Sequence, residues 1–137
     1  MLSINWTLAG PWSYHVQALA LTEHFGHDIT EDCAYGRCLH GDNDGGRAVG
    51  LLQCHYPYMK TWYEGSGEFA CAVDDTVADA QIKAAAAFLN HNVPLIELDL
   101  TIQAQNLGVY AVMHEGKRNV DYLAKWAGFY QRIRGGG

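Results

Sequence analysis

The segment from Val77 to Asn92 places the tightest limit on what this chain can fold into. Asp74-Asp75-Thr76 supplies side chains able to cap a helix N-terminus, and Val77, Ile82, Ala85, Ala86 and Leu89 then recur at helical spacing. A helix carrying such a stripe must bury it against other elements. The pattern predicts an end near Asn90-His91-Asn92. A second helix of the same kind closes the chain: Asn119 stands at its N-cap, and Tyr122, Leu123, Trp126, Phe129, Tyr130 and Ile133 form a wide apolar face. A third is expected over 11–25, with Pro11 in its first turn and Gly26 at its end. Between Pro94 and His114 the expectation is a helix over 96–114, although Leu98, Leu100 and Ile102 alternate in a way that also suits a strand.

From Gly26 to Gly50 the character changes. Six glycines fall in that stretch, and Gly41-Asp42-Asn43-Asp44-Gly45-Gly46 is built for tight turns, which need positive φ angles. Arg47 to His55 is apolar enough for a short buried strand, closed by Tyr56-Pro57, and Tyr58 to Tyr63 suits one or two helical turns. The expected fold class is α+β, mainly α, with a small β-hairpin region. At 137 residues, 49% hydrophobic and 18% charged, the chain can close one core and one active site. It is read as a single domain over 1–134, followed by a flexible glycine tail, 135–137.

No run reaches the roughly 20 apolar residues of a membrane span, and the first residues lack the basic start and apolar stretch of a signal peptide. The expectation is therefore synthesis as a soluble cytoplasmic protein, with Cys33, Cys38, Cys54 and Cys71 reduced. The net charge of −6 conceals an asymmetry. Residues 1–116 carry four Lys/Arg against fourteen Asp/Glu, whereas Lys117, Arg118, Lys125, Arg132 and Arg134 stand against Asp121 alone. A basic C-terminal helix on an acidic body can be drawn to an anionic envelope surface, or can simply be a solvated face.

Three stretches occur together in an order that carries chemistry. Ala18-Leu19-Ala20-Leu21-Thr22-Glu23-His24-Phe25-Gly26 is an apolar helix ending on a glutamate. Gly41-Asp42-Asn43-Asp44-Gly45-Gly46-Arg47-Ala48-Val49-Gly50-Leu51-Leu52-Gln53 is a glycine-rich turn running into a strand. Val112-Met113-His114-Glu115-Gly116 is followed by Val120-Asp121-Tyr122. In order and approximate spacing these resemble the lysozyme-like superfamily, in particular soluble lytic transglycosylases, goose-type lysozymes and related phage muralytic domains.

The resemblance implies a lysozyme-like fold with a substrate cleft, and an enzyme that cleaves the β-1,4 bond between MurNAc and GlcNAc in peptidoglycan, as muramidase or lytic transglycosylase. It implies Glu23 as the catalytic acid, and Gly50, Leu51 and Gln53 along the cleft floor. The third stretch would bring Met113 and His114 to the substrate. The chemistry is coherent, because glycosidic cleavage needs a carboxylic acid still protonated near neutral pH. A glutamate walled by apolar side chains can have its pKa raised by desolvation. A hydrolase needs a second carboxylate, for which Asp42, Asp44, Glu31 and Asp32 are the candidates, the two aspartates of the glycine-rich turn also being suited to forming the turn itself; a transglycosylase needs none. Among the aromatic residues, Tyr58 and Tyr110 are the first choices for stacking on sugar rings.

A muralytic chain of this size without an export signal suits a phage endolysin or virion-associated lysin, acting as a monomer on the cell wall with no cofactor and no nucleic-acid partner. Two alternatives stay open. His24 stands where the family usually has serine, and Met113-His114-Glu115 where it has Tyr-Asn-Ala, which leaves room for an inactive lysozyme-fold binding protein; it also makes Glu115 a rival acid. Cys33 or Cys54 with a histidine would instead make a peptidoglycan amidase. Cys33, Cys38, His40, Cys54 and His55 lie close together, but only Cys33-x4-Cys38 approaches a zinc spacing and no second pair follows, so no metal is expected.

Overall fold

The structure is a computed structural model, and it describes residues 4–23, 48–49, 51–52, 54–55 and 77–135. The described residues are mostly helical. A 3-10 helix, η1 (Trp6–Trp12), leads into α1 (Ser13–Glu23); two short strands follow, β1 (Ala48–Val49) and β2 (Cys54–His55). The remainder is α2 (Val77–Ile96), α3 (Leu98–Leu107), α4 (Val109–His114) and α5 (Val120–Arg134). None of these helices is long and apolar enough to cross a membrane.

α1 is the central element. Val16, Ala18, Leu19, Ala20 and Thr22 are all buried, and burial of three consecutive residues means neighbours on more than one side. α5 packs along one flank, and η1 and α2 cover the others. Its loose apolar spacing is therefore that of a surrounded helix and not of a surface one. Gly10, at φ 58, kinks the backbone inside η1, and the Ser13 N–H bonds its carbonyl as α1 begins.

α2 contributes Ile82, Ala85, Phe88 and Leu89 to the core, as its stripe requires. It does not stop at Asn90-His91-Asn92 but continues through Pro94 to Ile96. The Asn92 side chain, expected to terminate the helix, is buried and donates to the Phe88 carbonyl one turn back at 2.9 Å, so it is satisfied inside the helix. The break comes at Glu97, which has φ 75 and ψ 165 and is the one non-glycine residue of positive φ among the described residues.

The stretch expected as one helix over 96–114 is two, divided at Gly108 (φ 92), whose N–H closes α3 onto the Ala104 carbonyl at 2.7 Å. Thr101, Ile102, Gln103 and Ala104 are consecutive buried residues, so the alternation of Leu98, Leu100 and Ile102 is that of a helix surrounded at this point and not of a strand. Phe88, Ala104 and Val112 form a second, smaller core between α2, α3 and α4.

Arg47 to His55 is not a continuous strand. Ala48 pairs with His55 and Val49 with Cys54, antiparallel, and the chain turns at Leu51-Leu52. Both leucines are buried, and the Leu52 N–H bonds the side-chain oxygen of the fully buried Gln81 at 2.8 Å. That bond ties the turn to α2.

α5 begins as its sequence predicts, with the Asn119 side chain accepting the Tyr122 N–H at 3.1 Å. Tyr122 and Trp126 are buried, and Leu123, Phe129, Tyr130 and Ile133 lie partly buried against the core. The Gly135 N–H donates to the Gln131 carbonyl at 2.9 Å and closes the helix, and residues 136–137 of the expected tail lie outside the described residues.

Candidate active site

α1 and α5 run antiparallel, and two long-range contacts fix their register. Near the start of α1 the His15 carbonyl accepts the Trp126 indole N–H at 3.1 Å. There His15 also packs among rings, with centroids 4.9 Å from Trp12 and 4.7 Å from Tyr130. At the other end of α1 the Tyr122 hydroxyl donates to Glu23 Oε2 at 2.5 Å. Residues 99 positions apart in the sequence are thus joined by a short hydrogen bond.

Glu23 is the last residue of α1, and its carboxyl sits at a cavity of about 240 Å³ lined by Thr22, Glu23, Asn106, Asn119, Tyr122 and Lys125. Burial is the dominant influence on it. Removing the carboxyl from water penalises its charged form and raises the pKa from 4.5 to about 7, against the opposing pull of the Tyr122 hydrogen bond. The Tyr122 phenol is itself pushed well above its ordinary value by burial and by the neighbouring carboxyl, so it remains a donor throughout the physiological range. With Oε2 accepting from Tyr122, Oε1 is the oxygen left to carry a proton. The arrangement is a carboxylic acid that is about half protonated at neutral pH and opens onto a polar cavity, which is what general acid catalysis requires.

The rest of the lining is locked by amides. The Asn119 side chain caps α5 with its oxygen and donates with its nitrogen to Asn106 Oδ1 at 2.8 Å, while the Asn119 backbone N–H bonds Gln103 Oε1 at 2.8 Å. Gln103 is buried, so this network anchors the start of α5, and with it Tyr122, to α3. The chain reaches Asn119 by reversing after α4: Gly116 takes φ 67, the Lys117 N–H bonds the Ala111 carbonyl at 3.0 Å, and Arg118 donates to the carbonyls of Val112 and Lys117. A side chain at Gly116 would be strained in that conformation.

Not every residue expected at the site is there. Leu51, expected on a cleft floor, has no exposed surface and belongs to the core. Tyr110, Met113 and His114 are exposed on α4 but do not line the cavity; Tyr110 and His114 stack on each other with centroids 4.7 Å apart. Glu115, the rival acid, is exposed and pairs with Lys117 at 3.7 Å, a solvated ion pair. Gly50, Gln53, Tyr58, Asp42, Asp44, Glu31 and Asp32 lie outside the described residues.

The structure adds Asn106, Asn119 and Lys125 to the cavity. Asn119 was visible only as a helix cap and Lys125 only as part of a basic face, while nothing in the sequence around Asn106 distinguishes it. The signal that does exist is spacing: Asn119, Tyr122 and Lys125 stand three apart, on one side of α5. Among the described residues no group of three His, Cys, Asp or Glu side chains is placed to hold a metal ion. No protein-family model matches this sequence, nor does any curated protein or any solved structure.

Proposed function

We propose that this chain has a lysozyme-like fold and cleaves the β-1,4 glycosidic bond between MurNAc and GlcNAc in peptidoglycan, with Glu23 as the general acid. The observation that carries the reading is the Glu23 carboxyl itself, half-buried at the end of α1 at the mouth of a polar cavity and bonded at 2.5 Å by Tyr122, with its pKa raised to about 7 by loss of water. The order of sequence stretches around it, which resembles the muralytic families, supplies the substrate class.

In the reaction, the Glu23 proton passes to the glycosidic oxygen as the C1–O bond breaks, and the pair of electrons leaves with that oxygen. Positive charge develops on the sugar ring. The ionised Glu23 then stands beside the Tyr122 hydroxyl, whose hydrogen bond favours the charged form at the moment it appears. Water attacks C1 in a muramidase and gives up its proton to a second carboxylate or back to Glu23; in a transglycosylase the sugar's own 6-hydroxyl attacks and gives its proton back to Glu23. On this reading the chain is a phage endolysin or virion-associated lysin acting on the bacterial cell wall.

Digestion of purified peptidoglycan, with mass spectrometry of the soluble products, tests this by comparing the wild type with Glu23→Gln. Glycan fragments from the wild type alone support the acid, with reducing ends marking hydrolysis and anhydro ends transglycosylation. Equal release by both proteins, or no glycan from either, removes Glu23 from the mechanism and favours the amidase or binding-protein alternatives.

A further inference from the structure

The cavity at Glu23 contains a charge that proton donation does not use. Of the five basic residues in the C-terminal segment, four have partners elsewhere: Lys117 pairs with Glu115, Arg118 bonds the Val112 and Lys117 carbonyls, and Arg132 and Arg134 lie over the rings of Phe129 and Tyr130. Lys125 lines the cavity instead, and no carboxylate among the described residues forms an ion pair with it. It follows Tyr122 by three positions, so it stands about 4.5 Å further along the helix axis, on the side that faces Glu23. The rest of the polar lining is a hydroxyl from Thr22, the phenol of Tyr122 and carboxamides from Asn106 and Asn119, none of which carries charge at neutral pH. The cavity wall thus carries one ammonium, from Lys125, as well as the Glu23 carboxyl.

We propose that Lys125 is a specificity residue that selects glycans carrying a carboxylate next to the scissile bond. This rests on the reading of Glu23 as a glycan-cleaving acid. In a peptidoglycan strand the carboxylate belongs either to the lactyl group of the muramyl sugar or to its peptide stem, and the ammonium, a compact charge with three donors, takes either. A neutral polymer with the same β-1,4 linkage, such as chitin, offers Lys125 nothing. Because Lys125 is exposed, the preference is about fivefold, the upper range for a solvent-facing ion pair, and it fades as salt is added.

The test compares three oligosaccharides of equal length: strands with intact stems, strands stripped of stems so that the lactyl carboxyls are free, and chito-oligosaccharide. Cleavage rates are measured for the wild type, Lys125→Gln and Lys125→Arg, and binding is measured by calorimetry on Glu23→Gln with and without Lys125→Gln. The expected result is a preference for carboxylated strands of about fivefold, abolished by Lys125→Gln and restored by Lys125→Arg. Loss confined to stripped strands assigns the lactyl group, and loss confined to stem-bearing strands assigns the stem. A preference unchanged in Lys125→Gln, or equal handling of chito-oligosaccharide by the wild type, overturns the role of Lys125. If nothing is cleaved, the Glu23 reading fails separately, and the binding arm still decides the role of Lys125: a carboxylate preference that vanishes with Lys125→Gln sustains it as the residue that selects carboxylated glycans for binding, and the absence of that preference ends it.

Discussion

Replacing Glu23 by Gln should change how stability depends on pH more than it changes stability at any one acid pH. The unfolded chain releases the Glu23 proton near pH 4.5, whereas the folded chain holds it to about pH 7. Between those values the folded state binds more protons, so stability falls as pH rises, by about 1.4 kcal/mol per pH unit. The total reaches about 3 kcal/mol above pH 7, a large part of the ~5–15 kcal/mol that holds a domain folded. Below pH 4.5 both states are protonated and this contribution disappears. Gln keeps the size of the side chain, its carbonyl oxygen accepts the Tyr122 hydroxyl, and it carries no titrating proton. Urea unfolding followed by tryptophan fluorescence from pH 4 to 8 should therefore show the mutant gaining on the wild type by about 3 kcal/mol across the range. Other titrating groups are common to both proteins and cancel in the difference. Parallel curves, or a gap that widens toward acid, would refute the buried, protonated Glu23.

Removing the Tyr122 hydroxyl with Tyr122→Phe takes away a hydrogen bond that lowers the Glu23 pKa; on the proposed mechanism the alkaline limb of the kcat/KM profile, expected near pH 7 in the wild type, should move upward. Glu97→Gly should stabilise the protein by about 1 kcal/mol in thermal unfolding, because φ 75 with ψ 165 is a conformation that costs a non-glycine residue about 1–3 kcal/mol, partly offset by glycine's greater chain entropy. Asn119→Ala should cost about 1–2 kcal/mol, since it removes the α5 cap and the bond to Asn106, and its activity loss should exceed what that destabilisation explains because Tyr122 is no longer held. His15 has a pKa lowered by burial and by Arg134, so the folded state resists its protonation and stability is lost as pH falls below 6.5. His15→Phe should shrink that acid loss in a denaturation series.

The helices that were legible from the sequence are those with one apolar face. α2 and α5 each show core to one side and water to the other, and the Asn119 cap is a local bond between residues three apart, which sequence can encode directly. α1 was legible in place but not in surroundings, because Val16, Ala18, Leu19 and Ala20 meet neighbours on several sides and a stripe never forms. The boundaries that escaped were decided by tertiary contacts. Asn92 looks like a helix stop only while its amide lacks a partner, and a glutamate at positive φ has no sequence signature at all. The turn at Leu51-Leu52 was invisible for the converse reason: turn residues are expected to be polar, whereas these two are drawn into the core and anchored by Gln81.

The position of Glu23 at the end of an apolar helix is legible in the sequence, and burial there raises its pKa. The environment of Glu23 was not legible, because that depends on how α1 is aligned with α5. Tyr122 looked like one member of an apolar face, and only the alignment turns its hydroxyl toward Glu23. The alignment is set at the far end of α1 from Glu23, where Trp126 bonds the His15 carbonyl among the rings of Trp12 and Tyr130. Sliding α5 by one turn, about 5.4 Å, would break that bond and carry the phenol beyond reach of Glu23. The reversal after α4 has a similar role. Met113 and His114 stay in solvent while Gly116 and Arg118 turn the chain so that Asn119 can start α5 against α3. The third sequence stretch therefore acts on the cavity through backbone geometry. Its glycine and the asparagine that follows position the phenol, and the phenol in turn holds the acid.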